Sequence, residues 1–315
     1  MDLNSKVFVV YGGISTEREI SLKSGAAVAE ALREYGYTDV TLFDITADNC
    51  SELLSSKPDM VYIALHGEGG EDGKIQVMLD WAGIPYTGPG VASSAVCLNK
   101  IFTKQVLTAA EIPTAGYIAK QNVRPSDRPA LLERIKKELG FPMVLKAPSQ
   151  GSSIGVVIVH DEKEFDEAAA EVFKYGEDIL AEQFLDGTEI TVPIIGNDEL
   201  TVLPEIEITS ENEFYDYQSK YTEGMCHHII PARISEEDRE AAKKIAKRAY
   251  RALGCTGISR VDMIVDKKYG PMVLEINTSP GMTSMSLVPD SGRAAGISFP
   301  ELTSRILTYG YETER

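Results

Sequence analysis

Between residues 1 and 90, apolar strands alternate with amphipathic helices, and this alternation leaves the chain few topologies. "KVFVVYGG" (Lys6–Gly13) reads as an apolar strand ending in glycines. "ISLKSGAAVAEALREYGY" then carries Ile20, Ala27, Ala31 and Leu32 at helical spacing. Strands follow at "DVTLFDI" and "DMVYIAL", then the glycine-rich loop "HGEGGEDG" and the helix "KIQVMLDWAG". Successive parallel strands need a crossover, which a helix supplies, so this order predicts a parallel sheet with helices on both faces. That α/β unit is expected to run out near "YTGPG" (Tyr86–Gly90), and we set its span at 1–95.

The full 315 residues exceed one ordinary core and suit two or three domains. A composition of 43% hydrophobic and 25% charged residues excludes disordered and fibrous classes. No apolar run approaches the roughly 20 residues that span a bilayer. The opening "MDLNSKVFVVYGG" has one Lys and too short an apolar run for a signal peptide, so a cytoplasmic protein with no membrane partner is expected. Cys50, Cys97, Cys226 and Cys255 are widely spread, as unpaired thiols in a reducing compartment would be. "CHH" at Cys226–His228 places adjacent side chains on opposite sides of a strand, and no second cluster completes a zinc sphere. A net charge of −17 argues against nucleic acid, which is held by basic patches. A phosphate ligand would need local cations against that repulsive field.

After residue 95, the helix "SSAVCLNKIFTKQVLTAAEI" leads into strands "AGYIAK", "FPMVLKA", "GVVIVH" and "DILAEQFL", with a helix at Asp161–Tyr175. This makes a central unit at 96–186. The last unit, 187–315, opens with the strand pair "EITVPIIG" and "ELTVLPEIEI". Thr209–His228 is too irregular for either period. A helix at Glu236–Leu253, the hairpin "ISRVDMIVD–KKYG–PMVLEIN" and a helix at Phe299–Tyr309 follow.

The hairpin poses the chemical question. Met272, Leu274 and Ile276 alternate with Val273, Glu275 and Asn277, which predicts one greasy strand face and a carboxylate beside an amide on the other. The partner strand sets Val261, Met263 and Val265 on one face and Arg260, Asp262 and Ile264 on the other, so Asp262 is expected near Glu275 and Asn277. Two carboxylates and an amide oxygen suit a hard cation such as Mg²⁺, which leaves positions open for substrate phosphates. The competing reading is a solvated face with an Arg260–Asp262 pair. "KAPSQGSSIGV" (Lys146–Val156) sets a lysine before a Gly-Ser-Ser-x-Gly loop whose N–H groups can approach phosphate oxygens. The loop lacks the Walker order, and "GGIST" lacks the dinucleotide pattern. Lys100 is a further cation, or an ordinary solvated helix lysine. In "AEQFLDGTE" (Ala181–Glu189), Glu182 and Glu189 flank a turn that suits an adenine and its ribose, or is an exposed hinge.

The blocks "GGISTEREISLKSG", "GIPYTG", "YDYQSKY", "SRVD" and "LEINTSPGMTSMSLVP", with the histidine–glycine and lysine–serine loops above, occur in one order over nearly the full length. In that combination the chain resembles the D-alanine–D-alanine ligases of the ATP-grasp superfamily. The resemblance implies an N-terminal parallel-sheet α/β domain and an α+β part formed by a central and a C-terminal domain, with ATP held between those two. It implies that one D-alanine carboxylate attacks the γ-phosphate of ATP to give an acylphosphate. The amine of a second D-alanine then displaces phosphate, yielding D-alanyl-D-alanine for peptidoglycan. By the same resemblance, Asp262, Glu275 and Asn277 match ligands of two magnesium ions, with manganese as a substitute. Lys100, Lys146, Ser152 and Lys220 match ATP contacts, as do Glu182, Phe184, Leu185 and Glu189 around the adenine and ribose. Glu17 matches the residue holding the first D-alanine ammonium, in a trio with Ser152 and Tyr221. Arg260 and the N–H of Gly281 match an oxyanion hole, Ser286 and Leu287 contacts to the second D-alanine, and His66 and Glu71 further active-site residues. The segment 209–228 matches a lid, and a homodimer is implied.

Four positions depart from the family pattern: Gln150 for Glu, Val77 for Gly, Asn99 for Asp and Met285 for His. None removes a metal ligand or phosphate cation. Tyr221 is the form associated with dipeptide products, where Phe goes with D-lactate. The alternatives are a related ligase with another acceptor (D-serine, D-lactate or an L-amino acid) and a nucleotide-binding homologue without catalysis.

Overall fold

The computed structural model describes residues 1–210 and 226–313. Its first layer is a parallel sheet in the order β2–β1–β3, with β1 at Lys6–Gly12, β2 at Asp39–Ile45 and β3 at Met60–Ile63. Alternate residues of a strand face opposite ways. Val7 and Val9 therefore enter one core with α1 (Arg18–Tyr35), while Phe8 and Val10 enter another with α2 (Cys50–Ser55) and α3 (Lys74–Ala82). Both faces are covered, which explains the unbroken apolar run of β1. The buried face of α1 is built from Ser21, Ser24, Gly25, Val28 and Leu32, and Ile20 and Ala27 are only half-buried. Hydropathy alone misplaces this face because close approach to the sheet selects small residues. A Cβ at Gly25 would come 2.5 Å from Tyr11 Cβ, and Ser21 Oγ donates to Ala64 O at 2.7 Å.

The second layer is an antiparallel sheet, β4–β7–β5–β6, from Tyr117–Lys120 (β4), Met143–Lys146 (β5), Val156–Val159 (β6) and Ile179–Gln183 (β7). Helices α6 (Arg128–Leu139) and α7 (Glu162–Val172) close its core through Ile135 and Phe165. Helix α6 is absent from the sequence reading, because Ile135 is the one buried position in "RPALLERIKKEL".

The third layer runs β11–β10–β8–β12–β13, with β8 at Gly187–Ile195, β10 at Ile206–Ser210, β11 at Cys226–Ile229, β12 at Ile258–Asp266 and β13 at Gly270–Asn277. Helix α8 (Glu236–Ala252) covers one face with Ala242, Ala246 and Ala249, small enough for close packing on Val261, Val273 and Ile276. Ser235 caps it by accepting from Asp238 N at 3.0 Å, and Glu236, Glu237 and Asp238 suit its positive N-terminus.

Three expectations change here. The single helix over Ser93–Ile112 is two, α4 (Val91–Leu98) and α5 (Lys100–Ala109), because Asn99 is extended (φ −89°, ψ 105°) and caps α5 through Ile101 N and Phe102 N. The strand "ELTVLPEIEI" divides into β9 (Thr201–Val202) and β10 around Pro204, which has no N–H for a ladder. The ends of the segment read as irregular are strands, Thr209 opposite His227 and Ile208 opposite His228; most of the expected lid lies outside the described residues. Helix α9 (Leu287–Ala294) was hidden by Pro289, which sits in a first turn where its missing N–H costs nothing. Among the described residues, no helix is long and apolar enough to cross a membrane.

The last helix, α10 (Phe299–Glu312), returns to the first sheet: Leu302, Ile306 and Leu307 share a core with Val7 and Val9. A Cβ at Gly310 would meet Tyr86 O at 2.6 Å and Met60 Cε at 2.5 Å. Gly310→Ala is therefore expected to cost about 1–3 kcal/mol by overpacking, read as a lower urea midpoint. An unchanged midpoint would contradict this docking.

Candidate active site

A cleft of about 470 Å³ opens between the β5–β6–β7 edge of the second layer and the β8–β12–β13 face of the third. That size suits a nucleotide-sized ligand. Along β12 and β13, Arg260 pairs with Asn277 and Asp262 with Glu275, so the expected approach of Asp262 to Glu275 and Asn277 is observed. The alternation expected for β13 is not. The register shifts between Asp262 and Met263, leaving Leu274 as the extra residue of a bulge. Val273 and Ile276 consequently face the core, while Leu274 and Glu275 both line the cleft.

Asp262 is nearly buried and accepts from Thr191 Oγ1 at 2.5 Å. Arg260 grips it with both ends of the guanidinium, Nε to Oδ1 at 2.8 Å and Nη2 to Oδ2 at 2.7 Å. The Arg–Asp pair that sequence offered as the competing reading thus exists, but on a strand face that lines the cleft. Opposite it, Lys100 Nζ lies 2.9 Å from Glu275 Oε2 and donates to Gln150 O at 2.8 Å. Asn277 Oδ1 accepts from Ser279 N at 3.1 Å. Two facing carboxylates with an amide oxygen beside them form a donor set that fits a hard divalent cation sharing its coordination with a ligand. Among the described residues, no three His, Cys, Asp or Glu side chains gather into a closed metal cluster.

Deeper in the cleft, Glu182 on β7 forms ion pairs with Lys146 at the end of β5 and with Lys104 of α5. Burial alone would raise the Glu182 carboxyl, but Lys104 and Lys146 outweigh it and hold the group at about 2. Burial acts against the charge on Lys146, and the attraction of Glu182 overcomes it, so its pKa is raised. Lys104 is the residue that sequence reasoning missed. The signal was present, since Lys100, Ile101, Lys104 and Leu107 keep helical spacing and are all buried. Phe184 and Leu185, between β7 and β8, and Glu189 on β8 line the same cleft.

The serine loop joins the first layer to this cleft. Ser152 Oγ donates to Glu17 Oε1 at 2.5 Å. Ser152 (φ 50°) and Ser153 (φ 62°) both adopt the left-handed region, a strained backbone of the kind found at ligand clamps. His66 is buried, its ring nitrogens 3.1 Å from Ser24 Oγ and 2.9 Å from Ser279 O, beside a small separate pocket and not in the large cleft. Glu71, 3.9 Å from His66, has its pKa raised by burial against the pull of that ring. Ser286, at the N-terminus of α9, takes a hydrogen bond from Thr283 N at 3.0 Å, and a Cβ on Gly281 would crowd its hydroxyl at 2.9 Å. Leu287 is buried in the turn that follows. Lys220 and Tyr221 lie outside the described residues. Of the departing positions, Val77 and Met285 are exposed, Gln150 offers its backbone carbonyl to Lys100, and Asn99 caps α5 as an Asp would.

Two family models match the chain, D-ala D-ala ligase N-terminus over residues 48–89 and D-ala D-ala ligase C-terminus over 106–308. A D-alanine–D-alanine ligase of Moorella thermoacetica is 47% identical over 308 residues, covering 98% of this chain and 99% of the relative. The chain belongs to the D-alanine–D-alanine ligase family. Solved structures agree with the ATP-grasp fold of the ligase. A D-alanine–D-alanine ligase from Bacillus anthracis complexed with ATP aligns at TM-score 0.80 and 32% identity, covering 98% of this chain and 97% of that one. The VanG D-Ala:D-Ser ligase from Enterococcus faecalis aligns at 0.83 and 30%, covering 98% and 99%.

The lowered carboxyl of Glu182 predicts a stability that depends on pH in the acid range. A lowered carboxyl contributes its full stability above the ordinary 4.5, and that contribution fades as pH falls toward about 2. Urea midpoints of the ligase should therefore drop more steeply over this window than those of Glu182→Gln. Parallel pH profiles would refute the assignment.

Proposed function

We propose that the ligase joins two molecules of D-alanine into D-alanyl-D-alanine, using ATP and a divalent metal, as a cytoplasmic homodimer that supplies a peptidoglycan precursor. The observation that carries this reading is the facing pair Asp262 and Glu275 in the cleft that holds Lys100, Lys146 and Arg260, within a chain matched end to end by D-alanine–D-alanine ligases. We assign its units to 1–95, 96–186 and 187–315.

A carboxylate is a poor acyl donor, and its attack on ATP brings two anions together. Charge neutralisation and alignment therefore dominate the first step. Lys100 and Lys146 take phosphate oxygens from the wall opposite the carboxylates. Asp262, Glu275 and Asn277 would hold the divalent metal, which we assign as two Mg²⁺ ions. When bound, the metal supplies positive charge to the phosphates. Glu17, braced by Ser152 and in our reading by Tyr221, receives the ammonium of the first D-alanine. The carboxylate oxygen of that first D-alanine attacks the γ-phosphorus, the bond to ADP breaks, and an acylphosphate of D-alanine forms. Ser286 and Leu287 seat the second D-alanine. Its amine attacks the acyl carbon, Arg260 and the N–H of Gly281 receive the oxyanion, and inorganic phosphate departs as the peptide bond closes. Lys220, Glu182, Phe184, Leu185 and Glu189 complete the nucleotide site, with Glu182 toward the base and Glu189 toward the ribose, and His66 supports the first subsite.

Phosphate release from ATP, measured over a panel of amino acids with mass analysis of products, tests the reaction. Release that requires D-alanine, with dipeptide as product, is expected. Preference for D-serine as acceptor, an ester with D-lactate, or nucleotide binding without turnover would each overturn it. Glu275→Ala should lower kcat by about 10²–10⁴ through loss of charge stabilisation. Its melting temperature should stay close to that of the parent, since this side chain is about one-third exposed (32%). Near-normal turnover in this variant would defeat the metal assignment.

A further inference from the structure

Lys104 has no part in the reaction above, yet its side chain is fully buried, at 0% exposure. Lysine is almost never found so deep unless paired. Its Nζ donates to Thr114 Oγ1 at 2.5 Å and forms an ion pair with Glu182, and Thr114 Oγ1 in turn donates to Val273 O at 2.7 Å. Lys104 thereby ties α5 to β7 and to the strand that carries Glu275. It does not line the cleft, whereas Glu182 does, beside Phe184 and Leu185. Lys104 thus stands behind Glu182.

Glu182 has a second cation, Lys146, but that lysine has two claims on it. It lines the cleft and takes a phosphate oxygen in the reaction proposed above. Once turned to phosphate, it leaves Glu182, among the described residues, to Lys104. Among the described residues, the other groups near this pair are Tyr117, which is opposite Glu182 on β4, and Glu189 and Glu275, which act on Lys146 from β8 and β13. None of these is a cation. Burial pushes the Lys104 ammonium down and the Glu182 carboxyl up, so each needs the other to stay charged.

We propose that Lys104 is a positioning residue for nucleobase selectivity: held from behind, Glu182 offers only acceptor lone pairs to the cleft, which favours a 6-amino purine and repels a 6-oxo purine. This rests on the reading that Glu182 meets the base. An ionised carboxylate accepts and cannot donate, while a protonated one does both. Without Lys104, a buried Glu182 whose remaining cation serves phosphate takes up a proton and becomes a donor to a 6-oxo group.

The test is D-alanine-dependent phosphate release with ATP and with inosine triphosphate, for the parent, Lys104→Met and Glu182→Gln. The parent should favour ATP. Lys104→Met should lower the ATP-to-inosine-triphosphate ratio of kcat/KM by at least about tenfold, mostly through KM. The ratio should recover as pH rises and Glu182 ionises. Glu182→Gln, whose amide both donates and accepts, should lose the preference at every pH. If Glu182→Gln keeps the parent ratio, the base contact itself fails. If Glu182→Gln loses it but Lys104→Met weakens both nucleotides alike, Lys104 is merely structural and the inference alone is overturned. Should Lys104→Met not fold, Lys104→Gln, which keeps a donor without a charge, is read by the same ratio.

Discussion

Two carboxylates directly opposite one another on neighbouring strands repel, and such pairs destabilise a sheet. Asp262 and Glu275 stand in that relation, and much around them follows from it. Arg260 and Thr191 occupy the oxygens of Asp262, and Lys100 reaches from helix α5 to Glu275. The repulsion is thus held in check, and two of these side chains, Arg260 and Lys100, also line the cleft. A sheet built only for stability would put threonine or valine at these positions. In the proposed reaction the acidic pair serves the ligand and not the fold.

The same logic applies one layer away at Glu182, where a carboxylate sits between two lysines. Against an overall charge of −17, the cations of this protein do little as a general field. Lys100, Lys104, Lys146 and Arg260 instead concentrate around one cleft, where low exposure strengthens each charge. A polyanion is attracted only at short range, by geometry.

Much of this was legible in the residues. Strand–helix alternation gave the parallel layer, and the period of β12 placed Arg260 and Asp262 together on the cleft side. What failed did so for physical causes. A one-residue bulge at Leu274 inverted the inner half of β13, which no alternation pattern can foresee. Asn99 capped a new helix in the middle of a continuous helical pattern. The inner face of α1 was chosen by closeness of approach and not by greasiness, so serines and a glycine took places that hydropathy gave to isoleucine. Lys104 was passed over because a lysine reads as solvated until its partner, 78 positions further on (182 − 104), is known to be beside it.

The return of α10 to the first sheet has a consequence for how the chain is made. Val9 and Leu302 belong to one core, although 293 positions separate them (302 − 9). Domains emerging from a ribosome ordinarily fold in the order of synthesis. Here α1 covers part of the Val7–Val9 face early, through Val28 and Leu32, but Leu302, Ile306 and Leu307 complete that core only after nearly every other residue has been translated. The opening layer is therefore the last to be sealed, and in a nascent chain stalled before residue 299 this core lacks the share that Leu302, Ile306 and Leu307 supply.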